Sequence, residues 1–387
     1  MDVRQPFSQE PVDSQPTSVI PFARPAYGSE EPAAVYDAVM CDEFGRSGKV
    51  QEFEQAFAEH VGVPYAIAVS SCTTALHLGL AACGISVGDE VVVPSLSFIA
   101  TANAVKYVGA TPVFADVDPA TQNLTPASIE AVLSSATKAV LVVHQAGMPA
   151  DLDSIRAICE PRGVAVLEDA ACAAGARYKG YPISGAGGFA AFSFHPRKVL
   201  STGEGGAITT DDPGMAEILR SLATHGLQPV DSPKTGHEQY VRVGFDYAMC
   251  DPLAAIGIVQ LRKLDAIVHQ RRVLGARYRA LLGDIAGLQM IADTPYGRTN
   301  YQAFWVLLPE DFPLDRDATM KTLMERGIMT RRGVMAAHLE SPYSDVEHVP
   351  LPVTERITKN SLTLPLFHDM THAEQDRVIS AFHEIAR

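Results

Sequence analysis

The chain has no C-x-x-C pair. Its six cysteines, Cys41, Cys72, Cys83, Cys159, Cys172 and Cys250, are scattered along 387 residues, a usage that fits reduced thiols in a cytoplasm better than a disulfide framework. No apolar run approaches the ~18 residues that span a bilayer. The opening segment, MDVRQPFSQEPVDSQPTS, lacks the apolar centre of a signal peptide. It reads as a mobile polar arm over residues 1–19, with too little apolar surface to offset the entropy of ordering. Positive charge is also short: 31 Lys and Arg face 45 Asp and Glu, a formal net charge of −14. That balance argues against nucleic acid or an anionic membrane as partner, but leaves room for a local cationic pocket for phosphates. His144, His195 and His338 show no metal-ligand spacing, so no metal is expected. Gly185-Ala186-Gly187-Gly188 precedes a strand and does not lead from one into a helix, so the dinucleotide fingerprint is missing and a tight turn is the reading.

What is present is ample core, at 47% hydrophobic residues, and a length that suggests two or three domains. From about residue 50 to 225, short β-branched runs alternate with helical patterns. Strands are expected at Ala66–Val69, Val91–Pro94, Pro112–Ala115, Ala139–Val143, Val164–Glu168, Ala190–Phe194 and Gly206–Thr209. Helices are expected at Thr73–Ala82 and Phe98–Val108. The alternation predicts an α/β fold with a mostly parallel sheet covered on both faces, and ligands in such sheets bind beyond the carboxyl ends of the strands. A polar stretch, Gln228–Gln239, reads as a linker or mobile loop. A long helix at Leu253–Leu282, a strand at Tyr301–Leu308 and helices at Asp317–Arg326 and His372–Ile385 then suggest a smaller α+β unit. The expected division is 1–19, 20–240 and 241–387.

Two residues stand at the expected ligand edge. Asp169 ends one apolar run, and Lys198 follows another through Phe194-His195-Pro196-Arg197. A lysine amine and a carboxylate in that relation suit pyridoxal phosphate: the amine forms a Schiff base with the aldehyde, and the carboxylate keeps the pyridine nitrogen protonated. Each also has a plainer reading, Lys198 as a surface lysine beside Arg197 and Asp169 as a helix cap. Val69-Ser70-Ser71-Cys72-Thr73-Thr74 supplies a strand, a polar turn and a helix start, where first-turn amides and the helix dipole favour a phosphate. Ser71, Thr73 and Thr74 hydroxyls, and Ser193 from the strand before Lys198, could add bonds. Ordinary N-capping is the alternative there, and a core position is the alternative for Phe98.

Taken together, Val69–Leu78, Gly88–Ser95, Gly109–Asp118, Glu168–Ala171, Phe192–Lys198 with Gly203–Gly206, and Ala254–Gly257 with Gln260-Leu261 resemble the sugar aminotransferase family (DegT/DnrJ type) of fold-type-I pyridoxal phosphate enzymes. The resemblance runs from about Ile20 onward. It implies Lys198 as the Schiff-base lysine, Asp169 on the pyridine nitrogen and Phe98 stacked on the ring. Cys72, Thr73 and Ser193 would hold the phosphate, and Arg331 and His338 would meet the substrate. It further implies a homodimer with active sites at the subunit interface, and transfer of an amine from L-glutamate to a keto-sugar, usually nucleotide-linked. Other implied readings are a cyclitol aminotransferase, a related sugar dehydratase (whose members carry His where Lys198 stands) and a non-catalytic cofactor-binding regulator. The sequence departs from the family at its site. Cys72 stands for a usual Gly, Cys172 where Gln or His is common, Ala174 for His, and Ala146 and Met148 for Tyr and Gln. Asp246, in Gly244-Phe245-Asp246-Tyr247-Ala248-Met249, replaces an Asn that usually reaches the neighbouring subunit's phosphate. A carboxylate there would be repelled by roughly 4 kcal/mol per charge pair at ~4 Å.

Overall fold

The computed structural model describes residues 19–41, 48–228 and 239–387. Helices α1 (Glu30–Val39) and α2 (Lys49–Val61) precede the alternating region. That region runs β1 (Tyr65–Val69), α3 (Cys72–Ala82), β2 (Glu90–Pro94), α4 (Ala100–Tyr107), β3 (Thr111–Ala115), α5 (Pro126–Glu130), β4 (Thr137–Val143), α6 (Leu152–Cys159) and β5 (Ala165–Asp169). It continues through the short β6 (Arg177–Tyr178) and β7 (Tyr181–Pro182) to β8 (Ala190–Ser193), β9 (Gly206–Thr210) and α7 (Pro213–Ala223). Then come α8 (Asp251–Leu282), β10 (Gln289–Met290), β11 (Gly297–Arg298), β12 (Phe304–Leu307), α9 (Arg316–Glu325), β13 (Arg331–Arg332), α10 (Pro352–Asn360), β14 (Ser361–Leu364) and α11 (His372–Ile385).

The main sheet has the order β1-β9-β8-β5-β4-β2-β3. Its pairings from β8 through β5, β4 and β2 to β3 are parallel, and β9 runs antiparallel to both of its neighbours. Successive residues feed opposite cores, as the period of two requires. Val92, Val140, Val142 and Val166 pack on one face. Val91, Val93, Leu141 and Leu167 pack on the other. With both faces covered, each strand reads as a continuous apolar run.

A second, antiparallel sheet, β10-β12-β14-β13, forms near the C-terminus. The long helix α8 joins the two regions: Ala254, Leu264 and Ile267 lie in a core of the main sheet, while Leu274, Tyr278 and Leu282 lie in the core of the second. The strand expected at Tyr301–Leu308 is confined to Phe304–Leu307. Tyr301 has a positive φ of 51°, and buried Arg271 pulls the carbonyls of Tyr301 and Gln302 (2.9 and 2.8 Å) out of the ladder. The helix expected from Phe98 starts at Ala100. The polar stretch 228–239 lies outside the described residues except at its ends, where the Gln228 amide donates to the Gln239 carbonyl at 2.7 Å. The expected arm lies outside them too, apart from Val19.

Candidate active site

Strand register assembles the site. Gly206 of β9 pairs with Val69 of β1 on one side and Ser193 of β8 on the other. Asp169 of β5 pairs with Ala191 of β8. The carboxyl ends of β1, β5 and β8 thus meet at one edge, with the start of α3 directly beyond β1. A Cβ at Gly206 would lie 2.5 Å from the Ser71 carbonyl carbon and 2.6 Å from the Cys72 nitrogen. Glycine is what lets β9 come this close to the α3 N-terminus.

A cavity of about 360 Å³ opens at this edge, lined by Cys72, Thr73, Phe98, Asp169, Cys172, Ser193 and Lys198, among others. Seven of the ten residues singled out from the sequence therefore share one space. Ser71 caps α3 by accepting from the Thr74 amide at 3.1 Å. The amides of Cys72 and Thr73 belong to the first turn, which the helix ladder leaves without internal acceptors. Phe98 is 65% exposed, so its ring is open to a planar partner.

Asp169 is buried. One carboxylate oxygen accepts from Thr101 Oγ1 at 2.7 Å and the other from the Ala171 amide at 3.1 Å. Burial nevertheless raises its pKa, against the pull of these bonds and of Lys198. It is a buried carboxylate short of positive charge. Behind it, His144 Nδ1 accepts from the Ala150 amide at 3.0 Å, which leaves Nε2–H to donate to Glu168 at 3.0 Å. Arg156 meets the other Glu168 oxygen at 3.3 Å.

Lys198 Nζ donates to Cys172 Sγ at 3.2 Å. Burial pushes the ammonium down, but Cys172, Cys72 and Asp169 pull it back and leave its pKa raised. Burial, with Asp169 adding to it, pushes the Cys72 thiol well up, and its Sγ donates to the Ala191 carbonyl at 3.4 Å.

Three of the ten residues stand elsewhere. Asp246 has an 83% exposed side chain, 3.8 Å from His225 Nε2, and is absent from the cavity wall. His338 is buried, its Nδ1 sharing a 2.6 Å bond with the Ser95 hydroxyl while its amide donates to that oxygen at 3.2 Å. It serves the packing of residues 336–338 on the end of β2. Arg331 is exposed, with its guanidinium over the Phe22 ring at 5.3 Å. Its strand partner Thr363 also pairs with Trp305, and both of those line the cavity, so Arg331 ends a cross-strand row whose other two members reach the site.

Sequence reading missed the braces around Lys198 and Cys172. Gln302 Oε1 accepts from the Val199 amide at 2.9 Å and its Nε2 donates to the Arg197 carbonyl at 2.7 Å, so one side chain grips both neighbours of Lys198. Asn300 Nδ2 donates to the carbonyls of Cys172 and Ala174, both at 2.8 Å. These contacts cross more than 100 residues of chain, and no local pattern signals them. Thr101, which donates to Asp169 at 2.7 Å across 68 residues of chain, was missed for the same reason.

A family model of the DegT/DnrJ/EryC1/StrS aminotransferase family matches residues 25–383. The chain belongs to that family. This sugar aminotransferase is 35% identical to the aminotransferase TlmJ from Streptoalloteichus hindustanus, over 95% of this chain and 98% of that one, with a TM-score of 0.88. It is 31% identical to DesV from S. venezuelae, solved in complex with a ketimine intermediate, over 95% and 99% of the chains, TM-score 0.87. Spr1654 from Streptococcus pneumoniae in its PLP-form is 25% identical over 95% and 98%, TM-score 0.89. The aminotransferase is therefore a pyridoxal phosphate enzyme of fold type I, and its cavity fits that cofactor. The α3 cradle closed by Gly206 suits a phosphate, the charge-poor Asp169 suits a cationic ring nitrogen, and Lys198 offers a buried amine between them. All six cysteines are unpaired, and among the described residues no helix is long and apolar enough to cross a membrane.

Proposed function

We propose that this aminotransferase moves the amino group of L-glutamate to a nucleotide-linked keto-sugar, in deoxyamino-sugar biosynthesis, and that it works in the cytoplasm as a homodimer. The observation that carries this reading is the meeting of the Lys198 amine, the Asp169 carboxylate and the α3 N-terminus in one cavity. Pyridoxal phosphate, when bound, supplies an aldehyde for an amine and a ring that takes up an electron pair. The chain's own residues do the rest. Cys72 and Thr73 amides, with the Ser193 hydroxyl, hold the phosphate. Asp169 would hold the proton on the ring nitrogen, Phe98 would stack on the ring, and Cys172, beside Lys198, would line the cofactor's space. Lys198 Nζ would hold the cofactor and, once free, would move a proton off the carbon that bears the substrate's amine.

Arg331, at the end of the Thr363–Trp305 row, would meet an anionic group of the substrate, for which a guanidinium is well suited. We read residues 20–240 as the cofactor-binding unit and 241–387 as the smaller one. The dimer reading is supported by exposed apolar side chains, among them Val243, 90% exposed and three residues before Asp246. A second copy seated there would meet Asp246, which stands 3.8 Å from His225 Nε2.

The test has two parts. Borohydride treatment of the loaded enzyme should fix the cofactor to Lys198 on a peptide map, and K198A should show neither this label nor turnover. A panel of nucleotide-linked 3-keto and 4-keto sugars with L-glutamate should give multiple-turnover release of 2-oxoglutarate. A label elsewhere would overturn the role of Lys198, and no release across the panel would overturn the substrate assignment.

A further inference from the structure

We propose that Cys172 and Lys198 form a reversible oxidative lock: in the cofactor-free chain, a peroxide joins Cys172 Sγ to Lys198 Nζ through a sulfur–nitrogen bond. The proposal rests on the reading of Lys198 as the cofactor-anchoring amine, because the lock acts by consuming that nitrogen. The 3.2 Å bond to Cys172 Sγ is the hydrogen bond that the free amine makes among the described residues. Neither end of this contact is free to drift. Asn300 holds the carbonyls of Cys172 and Ala174, while Gln302 holds Arg197 and Val199. The Gln302 amide donates in turn to Asn300 Oδ1 at 2.8 Å. One turn of chain therefore sets the sulfur against the nitrogen, and the flexible four-carbon stem of Lys198 can close the remaining gap.

The cavity that admits cofactor and substrate also admits a peroxide. Both Cys72 and Cys172 line it. Cys72 is buried, is held neutral by that burial and donates its S–H to a carbonyl. Cys172 is only half-buried and accepts a bond from a cation, so it is the thiol to react first. In the first step the Cys172 sulfur attacks a peroxide oxygen. An S–O bond forms and the O–O bond breaks. Sulfur loses two electrons as a sulfenic acid, and hydrogen peroxide leaves as water. In the second step the Lys198 ammonium, no longer facing a thiol that favours its charge, gives one proton to water, and the nitrogen lone pair so freed attacks that sulfur. The N–S bond forms, the S–O bond breaks, and hydroxide leaves with a proton from nitrogen as a second water. A thiol reductant attacks the sulfur, returns the amine and is itself oxidised as Cys172 regains its thiol.

The test uses the full chain, cofactor-free and pre-reduced, exposed to hydrogen peroxide, quenched and digested without reductant. A linked peptide pair containing Cys172 and Lys198 is expected, two hydrogens lighter than its reduced halves together. Loss of pyridoxal phosphate uptake, read by visible absorbance, should accompany it, and dithiothreitol should reverse both. C72A should still form the link. C172S should not, and peroxide should take nothing further from whatever uptake C172S has. Loading wild type with pyridoxal phosphate before peroxide should prevent the link, a comparison that needs no variant to fold. Recovery of Cys172 as a sulfinic acid or as a disulfide with Cys72, or equal linking in loaded and free chain, would overturn the lock. A reduced chain that takes up no cofactor would overturn the anchoring role of Lys198 instead, while the peptide map still reports on the link.

Discussion

Asp169 carries a conflict that a bound cation would relieve. Its carboxylate is buried, its pKa is raised by that burial, and its bonds to Thr101 and Ala171 come from neutral donors. Hydrogen bonds to charged groups are worth about 1.5–3 kcal/mol, and each 1.4 kcal/mol is about tenfold in affinity. D169A should therefore weaken pyridoxal phosphate binding by roughly 10- to 100-fold, measured by titration of visible absorbance. Unchanged affinity would remove Asp169 from the ring nitrogen. Gln302 acts at one remove. Q302A should leave folding intact but loosen the Lys198 loop, so that kcat falls while cofactor affinity changes little. A matched loss of Tm would mark its role as merely structural.

At the scale of elements, two close approaches decide stability and the site. The first is the docking of α1 on α8. Glu31 is buried at the start of α1, and its carboxylate accepts from Lys263 at 2.8 Å, Gln260 at 2.7 Å and the Gly28 amide at 2.7 Å. Burial opposes the charge, but these partners outweigh it and lower the pKa from 4.5 to about 2. A depressed carboxylate pKa gives stability that is present above the unfolded value and lost as the folded value is approached. The contribution, about 3 kcal/mol at 1.36 kcal/mol per unit, should disappear as pH falls from 4.5 toward 2. E31Q should lack that contribution at neutral pH, and its denaturant midpoint should be flatter than wild type's across the acid window. Parallel curves would refute the assignment. The second approach is β9 on the α3 N-terminus. G206A places a Cβ against backbone that cannot turn aside, so it should displace the cradle and abolish pyridoxal phosphate uptake. Normal uptake with normal Tm would show that the cradle lies elsewhere.

For the whole molecule, the mass in solution tests the dimer. Sedimentation should give about twice 41.5 kDa, and V243E, which places a carboxylate at an exposed apolar position three residues before Asp246, should shift it toward the monomer. The alternation of β-branched runs and helices was legible along the chain because a doubly covered parallel sheet needs continuous apolar strands, and those are visible residue by residue. The edge positions of Asp169 and Lys198, and the helix start at Cys72-Thr73, followed from the same pattern. The sequence did not show the antiparallel insertion of β9, the register that seats Gly206 between Val69 and Ser193, or the grip of Asn300 and Gln302. Nor did it show that His338 Nδ1 meets Ser95 while Arg331 stays exposed. Local composition determines which segments become strands and helices, since propensity and periodicity act within a few residues. Which sulfur meets which nitrogen was decided by tertiary structure, because Cys172 and Lys198 are brought together by a segment more than 100 residues away whose side chains carry no sequence signal of their targets.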